Sequence, residues 1–226
     1  MPNQSTAMTH TLKIDLVSDV VCPWCAIGYK RLQQAIELLD GEIDVEIEWH
    51  AFLLNPDVPP EGTPILEHLM HKYGKSEAEI RANQQMIVET AQELGLDFSH
   101  ATDRRSWNTF NVHRVLAWAK EHGKYTGFKL ALFDAYFGQA KNPTDPALLK
   151  QIAGSLDLDR EQVDVILGSD RYAEEVEREL AYYRSAGVSS VPSFVVENQY
   201  LLAGAQDPQT LANAFREIAS NTAVAG

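Results

Sequence analysis

Cys22 and Cys25 are the only cysteines in a chain of 226 residues, and they close the tetrad Cys22-Pro23-Trp24-Cys25 where one hydrophobic period gives way to another. Residues 13–18 form a short apolar run of the kind that makes a buried strand. From 23 to 39, Cys25, Gly28, Tyr29, Leu32, Ala35, Ile36 and Leu39 recur at the spacing of one buried helical face. A thiol pair at a strand-to-helix junction narrows the possibilities sharply. The first turn of a helix offers unpaired N–H groups and the positive end of the macrodipole, and both favour a negative sulfur. Pro23 suits the first helical position, where a missing N–H costs nothing. Cys25 lies on the apolar stripe and is expected to be shielded. Cys22 is expected in the first exposed turn, as the attacking thiolate, with Cys25 as the thiol that resolves a mixed disulfide.

Two plainer uses of the pair fit less well. A disulfide closing so short a loop removes little unfolded-state entropy, so a structural bridge gains little. Structural zinc usually takes four ligands. The chain has no second C-x-x-C and its seven histidines are scattered singly, so only a zinc or cluster shared between two subunits stays open. The net charge of −13 argues against a nucleic-acid partner, which requires a basic patch, and gives no positive clue to a substrate. No run is apolar enough to span a membrane, and residues 1–11 are polar, without the apolar core of a secretory signal. The expected compartment is therefore the cytoplasm, where thiols are kept reduced and a C-x-x-C is more often catalytic than structural.

The hydrophobic pattern reads as strand–helix–strand, a long helical stretch, then strand–strand–helix. Residues 44–50 alternate Val45, Ile47 and Trp49 with Glu46, Glu48 and His50, giving a second strand with unlike faces. With the first strand and the intervening helix, it implies two parallel strands. After Asn55-Pro56 and Pro59-Pro60 only helical spacing follows. Segment 64–73 stops at Gly74, and Ser76 with Glu79 opens a longer helix through a capping box. Trp107, Phe110, Leu116 and Trp118 mark a third helix and 128–137 a fourth; Asp145-Pro146 and Asp159 start two more, and 171–186 ends at Gly187. Residues 193–197 and 200–203 flank Asn198-Gln199 as a hairpin, and Asp207-Pro208 starts a closing helix carrying Leu211, Phe215 and Ile218.

This order, the C-x-x-C at the first strand–helix junction and Ser190-Val191-Pro192-Ser193-Phe194 ahead of the hairpin together resemble the thioredoxin superfamily. The helical interruption is similar to its DsbA-like branch. The strings Asp19-Val20-Val21-Cys22-Pro23-Trp24-Cys25 and Ala186-Gly187-Val188-Ser189-Ser190-Val191-Pro192-Ser193-Phe194 resemble FrnE-like members of that branch. The likeness implies an α/β thioredoxin-like fold, β-α-β…β-β-α, with an inserted all-helical subdomain. Its parts are then a flexible tail at 1–11, thioredoxin-like residues 12–60, and a helical insertion at 61–186 whose last helix continues into the frame. Thioredoxin-like residues 187–220 and a tail at 221–226 complete it.

The resemblance also implies roles. Pro192 would follow a cis bond and face the cysteines, leaving the carbonyl and N–H of Val191 free to pair with an extended substrate. Trp24 offers either a flat apolar contact for substrate or packing against the helical block. With tryptophan where some relatives carry histidine, the pair is expected to be less oxidising. Many relatives hold a buried acid six positions before the first cysteine, and Leu16 stands there instead. Asp15 falls on the opposite strand face, and Asp19 is within reach of Cys25 but equally at home as a turn residue. Asn55 matches an asparagine that related glutathione-using isomerases carry near their substrate, and it also suits a turn before Pro56. His113, beside Arg114, either lines the groove from the helical subdomain or belongs to a solvated or satisfied helix face.

The leading expectation is a thiol–disulfide oxidoreductase with no metal and no nucleotide, drawing electrons from glutathione or a dithiol partner. Its substrates would be disulfide- or thiol-containing proteins or small molecules. A reducing cytoplasm favours reduction or isomerisation over net oxidation. The alternatives are a glutathione-dependent isomerase or transferase of the same fold, against which Cys25 counts, and a non-catalytic peptide-binding or chaperone module. Whether the chain acts as a monomer or a homodimer is open.

Overall fold

The computed structural model describes residues 10–224. In chain order, β1 (His10–Ser18), α1 (Pro23–Leu38) and β2 (Ile43–Ala51) open the fold. A helical stretch follows: a two-residue strand β3 (Thr63–Pro64), α2 (Ile65–Tyr73), α3 (Glu77–Glu93), a matching β4 (Arg105–Ser106), α4 (Phe110–Glu121) and α5 (Tyr125–Phe133). α5 runs into a π-helical turn at Asp134–Gly138, and α6 (Pro146–Ser155), α7 (Glu161–Leu167) and α8 (Ala173–Ser185) complete the stretch. β5 (Ser193–Val196), β6 (Tyr200–Ala203) and α9 (Pro208–Val224) close the chain.

The four longer strands form one mixed sheet in the order β2-β1-β5-β6. β1 pairs parallel with β2, Leu16 opposite Trp49, and antiparallel with β5, Leu16 opposite Phe194. Being central, β1 is covered on both sides, and its alternation sorts the two layers. Leu12, Ile14 and Leu16 are fully buried in the main core, which α1 and α9 also enter, whereas Val17 joins Tyr183 and Val188 in a second cluster. This is a thioredoxin-like α/β fold with an inserted helical subdomain. The insertion's helices begin and end for local reasons. Ser76 accepts the Glu79 amide while the Glu79 carboxylate accepts the Ser76 amide, a reciprocal cap for α3. Gly74 ends α2 with a φ of 62°, which a side chain would resist.

Some boundaries differ from expectation. The segments 1–11 and 221–226, read as tails, overlap structure: His10 and Thr11 belong to β1, and α9 continues to Val224. Residues 1–9 and 225–226 lie outside the described residues. Trp107 stands before α4 rather than within it, because Ser106 pairs with Thr63 in a ladder too short to show any period.

The largest departure is His50. Alternation groups it with the exposed Glu46 and Glu48, yet it is 8% exposed, because α8 covers that end of β2. His50 Nδ1 meets Glu179 Oε1 at 2.5 Å and Nε2 meets Asp15 Oδ1 at 3.2 Å, while Glu179 Oε2 accepts the Ala51 amide. Burial disfavours an imidazolium, but the two carboxylates outweigh it and raise the His50 pKa above its ordinary value. A pKa raised by folding stabilises the fold fully below the unfolded value of about 6.5, and that contribution is lost as pH rises through the folded value. Replacing His50 by Gln is therefore expected to lower Tm more at about pH 6 than at about pH 9. Thermal melts of both proteins over that range check this, and a constant gap would show that His50 is uncharged in the fold.

Candidate active site

β1 ends at Ser18, and Asp19, Val20 and Val21 carry the chain into α1 through a closely packed turn. Cys22 is the N-cap of α1, with extended backbone (φ −93°, ψ 114°), and Pro23 follows in the first turn. Cys25 is fully buried, as its place on the apolar stripe requires. Cys22 departs from expectation: instead of standing in an exposed turn it is 4% exposed. Its Sγ donates to the Val191 carbonyl at 3.6 Å, so that carbonyl, expected to be free, is engaged by the thiol. Both cysteines are free, buried thiols. Burial pushes the Cys25 pKa well up and the Cys22 contact acts the same way; the Lys129 charge and the Asp19 amide oppose them.

The Val191–Pro192 bond is cis. Its closeness to α1 depends on Gly28. A Cβ there would stand 2.8 Å from Pro192 Cγ, nearer than real carbon contacts, so helix and loop can meet only because position 28 has no side chain. Trp24 is half-buried and packs against the main core while keeping part of its surface open.

Asp19 is fully buried and fully used. Its Oδ1 accepts the Val20 amide at 2.7 Å and the Thr109 hydroxyl at 2.7 Å and meets His113 Nε2 at 3.2 Å; its Oδ2 accepts the Leu54 amide at 2.8 Å. Burial alone would raise its pKa, yet His113, the Leu54 amide and the Lys129 charge hold it below the usual carboxylate range. His113 is 2% exposed rather than solvated, and its Nε2 also reaches the Phe52 carbonyl at 2.9 Å. With two acceptors before it, that nitrogen carries the hydrogen. Arg114 is buried as well, donating to the Ile166 and Arg171 carbonyls. α4 has no solvated face over residues 112–119, which explains why a groove-lining or exposed role for His113 does not arise.

Asn55 is buried beside an adjoining cleft of about 440 Å³ lined in part by His68, His71 and Lys72. Its Nδ2 donates to Ser106 Oγ at 2.8 Å, and its Oδ1 accepts Lys72 Nζ at 2.9 Å and meets His68 Nε2 at 3.1 Å. Burial lowers the Lys72 pKa, and the Asp19 and Cys22 charges act against it. Asn55 thus ties the segment before Pro56 to α2 and β4. Away from the thiols, Asp15, Glu48 and His50 bring possible metal-binding atoms within 4.8 Å of one another, but both His50 nitrogens are already taken by carboxylates.

Sequence reasoning missed Lys129. It lies on the stripe Tyr125, Phe128, Leu132 and Phe133 of α5, is 0% exposed, and donates to the Ser18 carbonyl at 3.4 Å. A lysine at a stripe position was the available signal, since lysine is almost never fully buried without a partner.

Residues 13–216 match the family model of the DSBA-like thioredoxin domain. The chain belongs to that family. YwbO, an uncharacterized protein of Bacillus subtilis (strain 168), is 26% identical over 187 residues, covering 82% of this chain and 87% of its own. The crystal structure of a probable DsbA oxidoreductase from Streptomyces coelicolor has a TM-score of 0.85 at 28% identity, covering 91% of this chain and 89% of that one. A 2-hydroxychromene-2-carboxylate isomerase shares the fold, with a TM-score of 0.69 at 15% identity over 95% of this chain and 99% of that one.

In this DsbA-like chain the α1–Pro192 contact is open to a direct test. Alanine is the better helix former than glycine by about 1 kcal/mol, so the helix alone would gain from Gly28→Ala. Overpacking against a proline ring costs about 1–3 kcal/mol and is expected to win, leaving a net loss of about 1 kcal/mol in urea denaturation. A net gain would mean that the proline loop yields.

Proposed function

We propose that this DsbA-like chain is a thiol–disulfide oxidoreductase in which Cys22 attacks and Cys25 resolves. The observation that carries this reading is the thiol pair at the α1 N-terminus, one sulfur against the Val191 carbonyl and the other buried behind it. Cys25 is hard to ionise, because burial and the neighbouring Cys22 both raise its pKa, which leaves Cys22 as the attacking sulfur. Cys22 S⁻ attacks a substrate disulfide R–S–S–R′, forming Cys22–S–S–R and releasing R′–S⁻. Cys25 then attacks the Cys22 sulfur, closing the Cys22–Cys25 disulfide, and its proton leaves with the departing R–S–H. The substrate gains the two electrons that the dithiol loses, and glutathione or a dithiol protein restores them.

An extended substrate would lie along Val191 and Pro192, with Trp24 as its apolar neighbour. The frame at 12–60 and 187–220 then supplies the thiols and the proline. The insertion at 61–186 supplies the side-chain partners of Asp19, with His113 as an accessory that holds Asp19 in place, and Asn55 of the frame as one that shapes the adjoining loop. The strings 19–25 and 186–194 support the finer placement among FrnE-like members, and in a reducing cytoplasm the flow of electrons would favour reduction or isomerisation.

Titration of the pair in glutathione buffers, read by thiol labelling, is expected to give one two-electron transition within the glutathione range. Cys22→Ser should abolish turnover, and Cys25→Ser should trap the mixed disulfide. A second reading, a glutathione-dependent isomerase or transferase, is favoured by the cleft beside Asn55 and Lys72, whose mostly apolar lining also carries His68 and His71. It predicts full turnover in the Cys25→Ser protein and no reversible disulfide in the parent.

A further inference from the structure

The reading above leaves one step without a helper, because Cys25 must lose its proton before it can resolve the mixed disulfide, and its surroundings oppose that. Asp19 is poorly suited as a base: both its oxygens are occupied by donors, and those donors stabilise its ionised form. The buried cation that acts on Cys25 is Lys129. Its ammonium sits over the rings of Trp49, Phe133 and Tyr125 at 5.6, 5.7 and 6.0 Å, an arrangement that favours the cation. Its hydrogen bond goes to the Ser18 carbonyl, which the Phe52 amide also reaches. The N–H of the same peptide unit belongs to Asp19, whose backbone amide acts to lower the Cys25 pKa. One planar amide thus takes the ammonium's hydrogen bond on its oxygen and carries, on its nitrogen, the N–H that favours the Cys25 thiolate.

We propose that Lys129 is a positioning residue for Cys25: by polarising the Ser18–Asp19 peptide, it strengthens the N–H that stabilises the Cys25 thiolate during resolution. The proposal rests on the dithiol reading. The step it assists is Cys22–S–S–R + Cys25–S–H → Cys22–S–S–Cys25 + R–S–H. One S–S bond breaks as another forms, and the Cys25 proton ends on the departing thiol. The titratable groups around Lys129 are Asp19 ahead of α1, Cys22 and Cys25 at its start, Glu179 on α8 and Tyr125 on α5. Burial lowers the Lys129 pKa to about 8, with the neighbouring acids acting against it, so the amine is mostly cationic near neutrality.

The test follows Cys25 alone. In a Cys22→Ser background, the ultraviolet absorbance of the thiolate is recorded against pH for the Lys129 protein and for Lys129→Met and Lys129→Arg. Lys129→Met is expected to raise the Cys25 midpoint by about one unit, a tenfold loss of thiolate at a given pH, and Lys129→Arg to restore most of it. In the dithiol protein, Lys129→Met should slow resolution by about tenfold, so that the mixed disulfide accumulates. A folded Lys129→Met protein with an unchanged Cys25 titration would overturn the proposal. Should that variant fail to fold, nuclear magnetic resonance of the Lys129 side chain in the unmutated protein decides. Coupling is reciprocal, so its midpoint must fall when the cysteines are joined as a disulfide, and equal midpoints refute the link. A pair that forms no disulfide sinks the dithiol reading alone, because the Cys25 titration needs no turnover.

Discussion

The close approach of α1 to Pro192, with only the hydrogen of Gly28 between them, sets where Cys22 can point. The proline loop leads into β5, β5 is registered on β1, and β1 runs through Asp19 into α1, so the contact closes a ring of connected elements. Within that ring the Cys22 sulfur meets the Val191 carbonyl, and Cys25 faces inward toward the core. A side chain at position 28 would have to open the ring somewhere, and most of its members are buried strands with no freedom to give.

Beneath the thiols lies a second constraint, a buried set of charges and polar groups contributed by different parts of the chain. Asp19 comes from the frame; Thr109, His113 and Lys129 come from the insertion. Each alone would carry an uncompensated cost of several kcal/mol in a dry interior. Thr109 and His113 bond to Asp19, and Lys129 bonds to the Ser18 carbonyl beside it, so these contacts join the inserted helices to the turn after β1. The insertion is thus chemically continuous with the frame as well as packed on it.

Much of this could be read from residue order, and the misses share a cause. The C-x-x-C junction, the parallel first pair of strands, the Ser76–Glu79 cap and the hairpin at 193–203 all follow from local periods and turn chemistry. His50, His113 and Lys129 do not, because each is a polar residue whose burial is decided by an element far away in sequence: α8 covers His50, and the turn after β1 meets both His113 and Lys129. Alternation told correctly which face of β2 His50 occupies, but a face is solvated only if nothing is laid across it. The same holds for Cys22, whose place at the helix start was evident while the loop that covers it was 169 positions away.

The hydrogen bond from Cys22 to Val191 also makes one acceptor serve two states. While Cys22 keeps its proton, the S–H fills the carbonyl oxygen; once the proton leaves, the sulfur has nothing to donate and two electron-rich atoms face each other. On the proposed mechanism, loss of one proton therefore arms the nucleophile and vacates a docking point for a substrate's backbone N–H in the same event. Recognition and reactivity would then be gated together, so that a polypeptide finds its anchor only when the sulfur beside it is ready to react.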